Sequence, residues 1–190
     1  MARQARIIHL GQVMAVSAKG LKNLNIFDKD ELKQALLAWL RDSAKHYGLS
    51  IHAYVILPNE LCFLATPLEH ASLAKTMQSL CRRYTQLFNQ IHLTKGTIWD
   101  GRFYSKPLAT GQEILEHQKK IETSPKQEGV VSQLEDYLWS SYLTHIGQRP
   151  NYGLIDTLPF SKLGNTPFER QRNWELYLLN HSGTHSVPKE

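Results

Sequence analysis

Two side chains that could hold a metal ion stand close together in an apolar part of the sequence. Glu60 and Cys62 lie one residue apart at the start of a predicted β-strand, where alternate side chains point to the same face. A carboxylate and a thiolate could share a metal, but a thiolate suits zinc better than hard cations such as Mg²⁺. Alternatively, Cys62 is a small buried hydrophobic residue. The other cysteine, Cys81, forms no metal-binding pattern with it, so the sequence predicts reduced thiols.

Three further side chains have groups that could act as a base or a nucleophile. His117 has the potential of a general base, although a lone surface histidine is the commoner explanation. Tyr104 and Tyr137 carry phenol hydroxyls and fall on other predicted elements. The sequence does not place any of the three beside a reacting group.

Basic and aromatic residues are interleaved in a chain with a net charge of +5 and a pI near 9.2. Basic side chains neutralise phosphates, and aromatic faces stack on unpaired bases, so this pattern is typical of a protein that binds single-stranded nucleic acid. The alternative is an ordinary solvated surface over an aromatic core. The basic residues are Arg3, Arg6, Arg82, Arg83, Lys95, Arg102, Lys106, Lys119 and Lys120, and the aromatic ones are Tyr84, Phe88, Trp99, Phe103 and Tyr104.

The spacing of apolar residues predicts the elements that would position these groups. The pattern predicts a strand, a helix, two strands joined by Pro58-Asn59, a helix, a strand and a helix that ends before Ser124-Pro125. This order indicates a ferredoxin-like α+β fold with a split βαβ pattern, in which helices cover mainly one face of an antiparallel sheet. Asp28 and Glu31 are predicted to cap the first helix. The predicted strands are 6–18, 50–57, 61–66 and 97–109, and the predicted helices are 28–47, 69–91, 111–123 and 166–180.

The 190 residues are 42% hydrophobic, which suits one compact fold. We predict a main domain at 1–125, an irregular and partly helical extension packed on it at 126–180, and a flexible tail at 181–190. No apolar run approaches the roughly 20 residues that span a bilayer, and the first residues lack the pattern of a signal peptide. The sequence therefore predicts a cytoplasmic protein without a membrane partner.

Five segments resemble, in order, segments of the single-tyrosine HUH transposases, which include the REP-associated tyrosine transposases. The first is similar to the catalytic hairpin of that family, which reads approximately HAYVLMPNHxHLLL. The resemblance covers essentially the whole chain and implies the same ferredoxin-like fold. The segments are HAYVILPNELCFLATP (52–67), RRYTQLFNQIH (82–92), GTIWDGRFYS (96–105), EDYLWSSY (135–142) and LGNTPFERQRNW (163–174).

The resemblance also implies which residues would perform strand cleavage. In the family, two histidines of the hairpin hold Mg²⁺ or Mn²⁺, which polarises a phosphate, and a tyrosine on a later helix attacks it. An asparagine four residues after the tyrosine completes the metal site. At the corresponding positions this chain has Glu60 and Cys62 for the histidines, Lys120 for the tyrosine and Ser124 for the asparagine. We therefore expect no catalysis, no metal site and no cofactor, and we interpret Lys120 as a phosphate contact or a solvated helix residue.

These observations predict a transposase-related protein that binds single-stranded or hairpin DNA without cutting it. Two alternatives stay open. One is an active transposase with displaced catalytic residues, and the other is an inactive relict or a regulatory subunit that pairs with an intact relative. A homodimer is also compatible with the resemblance. The predicted DNA contacts are Arg82, Arg83, Lys95, Arg102, Tyr104, Lys106 and Lys119.

Overall fold

A four-stranded antiparallel sheet forms the centre of the protein. The computed structural model describes residues 10–22, 24–156 and 162–180, with the side chain of Asn180 left out. The strand order is β2-β3-β1-β4, and every neighbouring pair is antiparallel. This is the order of a ferredoxin-like split βαβ sheet, so the predicted fold class is confirmed. The strands are β1 (Met14–Lys19), β2 (Leu49–Leu57), β3 (Glu60–Pro67) and β4 (Tyr104–Pro107).

Two long helices, α1 (Asp30–Tyr47) and α2 (Ser72–His92), cover one face of this sheet. Both present an apolar stripe at helical spacing, which packs on alternate residues of the strands. The predicted cap at Asp28 is wrong, because Lys29 occupies the cap position without a side-chain hydrogen bond. The Asp28 carboxylate lies instead 3.3 Å from Nε2 of His92. Among the described residues, no helix is long and apolar enough to cross a membrane.

Helix α3 (Gly111–Gln127) packs on the opposite face of the sheet, across β2 and β3. The predicted end of this helix before Ser124-Pro125 is wrong. Pro125 cannot donate a backbone hydrogen bond to Ile121, but the Ser124 hydroxyl donates to the Ile121 carbonyl at 2.8 Å. The side chain thus occupies the acceptor that the proline leaves open, and the helix continues to Gln127, about one turn beyond the predicted end.

The first and last strands are shorter than predicted. In the described part of the predicted strand at 6–18, residues 10 and 11 form a turn and the strand begins at Met14. Of 97–109, only Tyr104–Pro107 forms β4, while Trp99 makes an isolated bridge to Gly20. Arg3, Arg6 and the predicted tail at 181–190 lie outside the described residues.

The C-terminal extension completes the edge of the sheet at β2. It contains a 3-10 turn (Leu134–Asp136), α4 (Tyr142–His145) and α5 (Pro167–Asn180). The Ile56 amide donates to the Trp139 carbonyl, and the Ser141 amide donates to the Tyr54 carbonyl, both at 2.9 Å. These bonds satisfy backbone groups that an edge strand would otherwise leave open. Because α3 crosses the predicted boundary at residue 125, the extension starts after Gln127.

Candidate functional site

A cleft of about 350 Å³ lies between the sheet and α3. Its floor is a row of four side chains that face one another directly across the strands: Val55 on β2, Cys62 on β3, Ser17 on β1 and Tyr104 on β4. The register of the three strand pairs fixes this row, because side chains directly opposite in antiparallel strands point to the same face. The cleft therefore spans the full width of the sheet.

The four positions that the resemblance equates with the catalytic groups all line this cleft. Glu60 and Cys62 point to the same face because they are alternate residues of β3. Lys120 and Ser124 are four residues apart on α3 and therefore lie on the same side of the helix, which faces the cleft. The four positions that the resemblance assigns to one site are thus also close together in the structure.

The surroundings of Cys62 favour the neutral thiol. Burial raises the pKa of Cys62 well above its ordinary value, and the neighbouring Glu60 carboxylate raises it further. Glu128 acts in the same direction, whereas the Lys120 ammonium opposes the shift. Only a thiolate binds metals and acts as a nucleophile, so at neutral pH Cys62 supplies a neutral wall to the cleft.

These donors do not fit Mg²⁺ or Mn²⁺. Both cations need several oxygen or nitrogen ligands, and at the position of the histidine pair the chain offers one carboxylate and one protonated thiol. The Ser124 hydroxyl donates to a backbone carbonyl, and Lys120 adds a positive charge to the same cleft. Nowhere in the part of the chain that the structure describes do three His, Cys, Asp or Glu side chains form a group that could hold a metal ion.

The cations around the cleft are matched by carboxylates. Nζ of Lys106 lies 2.8 Å from Oε1 of Glu113, and this hydrogen bond, followed by the Ala109 amide, lowers the pKa of Glu113. Lys19 stands directly opposite Glu60 in the β1–β3 ladder. Lys120 shares the cleft with Glu128. Three lysines and three glutamates therefore surround the cleft, and their formal charges cancel.

Of the three possible bases or nucleophiles, Tyr104 and His117 line the cleft and Tyr137 does not. The Tyr104 side chain is 62% exposed at its open end. The Nδ1 of His117 lies 3.0 Å from the Glu113 carbonyl and donates to it, so Nε2 carries no proton in the neutral ring. Tyr137 is buried, and its hydroxyl donates to the Ile56 carbonyl. Burial raises the pKa of Tyr137 to about 12, so this phenol is a packing residue.

The predicted DNA contacts are distributed over both faces of the sheet. Tyr104 and Lys106 lie at the cleft, on the edge strand β4. Arg82 and Arg83 are exposed on α2, on the other face, where the Arg83 guanidinium stacks 4.8 Å from the centre of the Trp39 ring. Lys95 and Arg102 are exposed in the loop between α2 and β4, and Lys119 lines a separate groove beside the extension.

A buried carboxylate on α3 faces the C-terminal extension and is not among the predicted site residues. Glu122 is fully buried, and its Oε1 accepts hydrogen bonds from the Ser141 hydroxyl at 2.6 Å and from Nδ1 of His145. Its Oε2 accepts from the Trp174 indole at 2.8 Å. The donors lie 19 to 52 residues further along the chain, and the neighbours of Glu122 in the sequence are mostly polar, so nothing local marks it as buried.

His52, the first residue of the hairpin motif, is also structural. Its Nδ1 lies 2.8 Å from the Asp156 carbonyl and donates to it, and its Nε2 accepts from the Thr66 hydroxyl at 2.7 Å. Burial lowers the pKa of His52, which keeps the ring neutral. The residue ties the extension to β2 and takes no part in the cleft.

Comparison with solved structures identifies the fold to which this cleft belongs. The structure of a REP-associated tyrosine transposase bound to a REP hairpin matches with a TM-score of 0.62 and 19% sequence identity, over 82% of this chain and 89% of that chain. The chain has the fold of a REP-associated tyrosine transposase. A candidate transposase from Deinococcus radiodurans R1 is more distant, with a TM-score of 0.42 and 19% identity over 62% of this chain and 98% of that chain. No protein-family profile and no curated protein matches the sequence.

The transposase fold extends beyond the sheet and its helices, because the alignment covers most of both chains. The predicted architecture, an α+β domain followed by a C-terminal extension, is therefore confirmed. Within this fold, the cleft between the sheet and α3 contains the four residues at the positions of the family's catalytic groups.

Proposed function

We propose that this protein is a transposase-related DNA-binding protein that binds single-stranded or hairpin DNA without cleaving it. One observation carries the proposal: Glu60, Cys62, Lys120 and Ser124, which correspond to the family's catalytic positions, line a single cleft of a chain that keeps the transposase fold. A carboxylate, a protonated thiol, an ammonium group and an engaged hydroxyl stand where the family has two imidazoles, a phenol and an amide.

The absence of cleavage follows from what these side chains can do together. Phosphotyrosine chemistry needs a polarised phosphate and a phenol in line with it. Catalytic groups that act as a unit are strongly non-additive, so the loss of a single member already costs orders of magnitude in rate. Here the groups at all four positions differ, and the cleft offers no matching set of ligands.

Binding of DNA is supported by the fold and by the basic and aromatic surface. The REP-associated transposase of the same fold was solved with a REP hairpin. In this chain Tyr104 is exposed at the edge strand, and Lys95 and Arg102 are exposed in the loop that precedes it. Unpaired bases can stack on such a ring while the cations contact phosphates.

A test compares fluorescently labelled DNA of one sequence as a hairpin with single-stranded flanks, as an unstructured single strand and as a blunt duplex. We expect the hairpin and the single strand to bind more tightly than the duplex, with affinity that falls steeply as salt increases. Tightest binding to the blunt duplex would contradict the proposal. Absence of binding to all three would favour the inactive relict or the regulatory subunit.

A second candidate function, an active transposase with a displaced nucleophile, is favoured by one observation. Tyr104 lines the same cleft as His117, so a phenol and an imidazole are both available there. Incubation of hairpin DNA with Mg²⁺ or Mn²⁺ and analysis on denaturing gels separates the two functions. The proposal expects no protein–DNA band, whereas a band that disappears in Tyr104→Phe would establish this second function.

A further inference from the structure

The cleft combines an apolar floor with a small number of polar groups. Apolar residues from β1, β2 and α3 form much of its surface, and the thiol of Cys62 on β3 continues it. Glu60 and Lys120 line the same cleft as Cys62, so a carboxylate and an ammonium group both border this floor. The apolar lining residues are Ala15, Val16, Val55, Leu57 and Ile121.

The charge balance of the cleft disfavours a phosphate as its ligand. A phosphate site collects an excess of cations or backbone amides. Here Lys106 is paired with Glu113, Lys19 faces Glu60, and Glu128 stands in the same cleft as Lys120. A polyanion therefore gains little from entering it, and the ligand that fits is neutral, partly apolar and able to donate and accept hydrogen bonds.

The exposed ring of Tyr104 adds a flat surface at the mouth of the cleft. It is the exposed end of the row of side chains that forms the floor, with 62% of its surface open. Aromatic side chains on an open strand are the surfaces on which unpaired bases stack. The volume of about 350 Å³ is in the range of sites for small flat ligands, which start at roughly 300 Å³.

We propose that the cleft binds one unpaired nucleobase that carries an exocyclic amino group, stacked on Tyr104 with its hydrogen-bonding edge between Glu60 and Lys120. This proposal rests on the proposed function, because the base belongs to bound DNA. The position that handles a phosphate and a metal in the family would here recognise a base.

The carboxylate sets which bases fit. An amino group donates to Glu60, and the adjacent ring nitrogen or carbonyl accepts from Lys120. Cytosine presents this combination of an amino donor beside an acceptor, whereas thymine presents a carbonyl where cytosine has its amino group. In the register that places the cytosine amino group at Glu60, that carbonyl would face the carboxylate, so thymine should bind less tightly.

The experiment compares oligonucleotides of about 12 residues, close to the size of a single-strand binding site, made only of dC or only of dT, near neutral pH. We expect the dC strand to bind about fivefold or more tightly than the dT strand, as for one good base contact. In Glu60→Gln this preference should fall to near unity. The control is Glu31→Gln, which removes the same charge from an exposed position on α1 and should keep the preference.

A second pair of variants tests the stacking without a change in the buried part of the cleft. Tyr104→Leu should weaken binding of the dC strand about fivefold or more, since the loss of one stacked base costs that much. Tyr104→Phe keeps an aromatic ring and should weaken binding of the dC strand less than Tyr104→Leu does. Equal affinity for dC and dT, a preference that Glu60→Gln leaves unchanged, or a Tyr104→Leu variant that binds normally would each overturn the base site while DNA binding itself stands. If no strand and no hairpin binds, the proposed function fails and this proposal fails with it.

Discussion

At the scale of residues, the sequence predicts which side chains meet at the cleft but not how its cations are paired. The meeting of Glu60 with Cys62, and of Lys120 with Ser124, could be predicted because the periods of strand and helix assign them to shared faces. The neutralisation of Lys106 could not, because Glu113 reaches it only once α3 starts beside β4. The cations therefore looked more available in the sequence than they are in the structure.

Both cysteines should react slowly with iodoacetamide in the folded protein near neutral pH. Burial raises the pKa of Cys81 to about 12, and it raises the pKa of Cys62 together with the Glu60 carboxylate. Since the thiolate is the reactive form, alkylation followed by mass spectrometry should be slow for both residues and fast after denaturation. Glu60→Gln should accelerate the reaction of Cys62 and leave Cys81 unchanged. Rapid alkylation of Cys62 in the native protein would contradict this assignment.

His52 should make the stability of the fold depend on pH. Its pKa is lowered by burial in the folded protein, so the unfolded chain, with a histidine pKa of about 6.5, binds the proton more readily. The contribution is fully present above about pH 6.5 and is lost as the pH falls through the lower pKa of the folded state. In urea denaturation, His52→Gln should lose less stability between about pH 7.5 and 5.5 than the unmodified protein. The exposed His70→Gln variant should behave like the unmodified protein.

At the scale of elements, the apolar periods predicted the two long helices and the central hairpin, but not how elements end. Helix α3 continues through Pro125 because a serine hydroxyl replaces the missing backbone donor. Strand β4 is shorter than the strand predicted at 97–109. Before Tyr104, the described residues of this segment form only an isolated bridge, between Trp99 and Gly20. The ends of these elements depend on single hydrogen bonds, which cannot be predicted from the spacing of apolar residues.

The packing of the extension on α3 depends on the buried carboxylate of Glu122. Glu122→Gln keeps the volume but replaces one acceptor by a donor, so at least one of the groups on Ser141, His145 and Trp174 is left facing a donor. We expect the free energy of unfolding to fall by about 2 kcal/mol or more, as for an unsatisfied buried partner of a charged group. Chemical denaturation measures this change. The exposed Glu116→Gln variant, on the same helix, should stay within about 0.5 kcal/mol of the unmodified protein.

Over the whole molecule, the predicted DNA contacts lie on the two opposite faces of the sheet. The cleft opens on the α3 face, whereas Arg82 and Arg83 lie on α2. A short route between the two faces passes around β4, which is an edge strand of the four-stranded sheet. The exposed cations of the loop before β4, Lys95 and Arg102, lie along that route. The distribution of charge therefore predicts a path for the DNA backbone outside the charge-balanced cleft.

The dependence of affinity on salt tests this path. Each phosphate contact that is lost flattens the plot of log affinity against log salt by about 0.7 for a single strand. The double variant Lys95→Ala/Arg102→Ala should therefore weaken binding and flatten the slope by about 1 to 1.5. We expect the same direction for Arg82→Ala/Arg83→Ala if the strand continues onto α2.

The matched control for both double variants is Lys162→Ala/Arg172→Ala, which removes two exposed cations from the C-terminal extension. It lowers the net charge by the same amount, so a change in slope that it shares would reflect total charge rather than contact. An unchanged slope in Arg82→Ala/Arg83→Ala would restrict the DNA to the β4 edge, and Arg83 would then serve to cover the Trp39 ring. An unchanged slope in Lys95→Ala/Arg102→Ala would refute the path around β4, because these two residues are the exposed cations of the loop on that path.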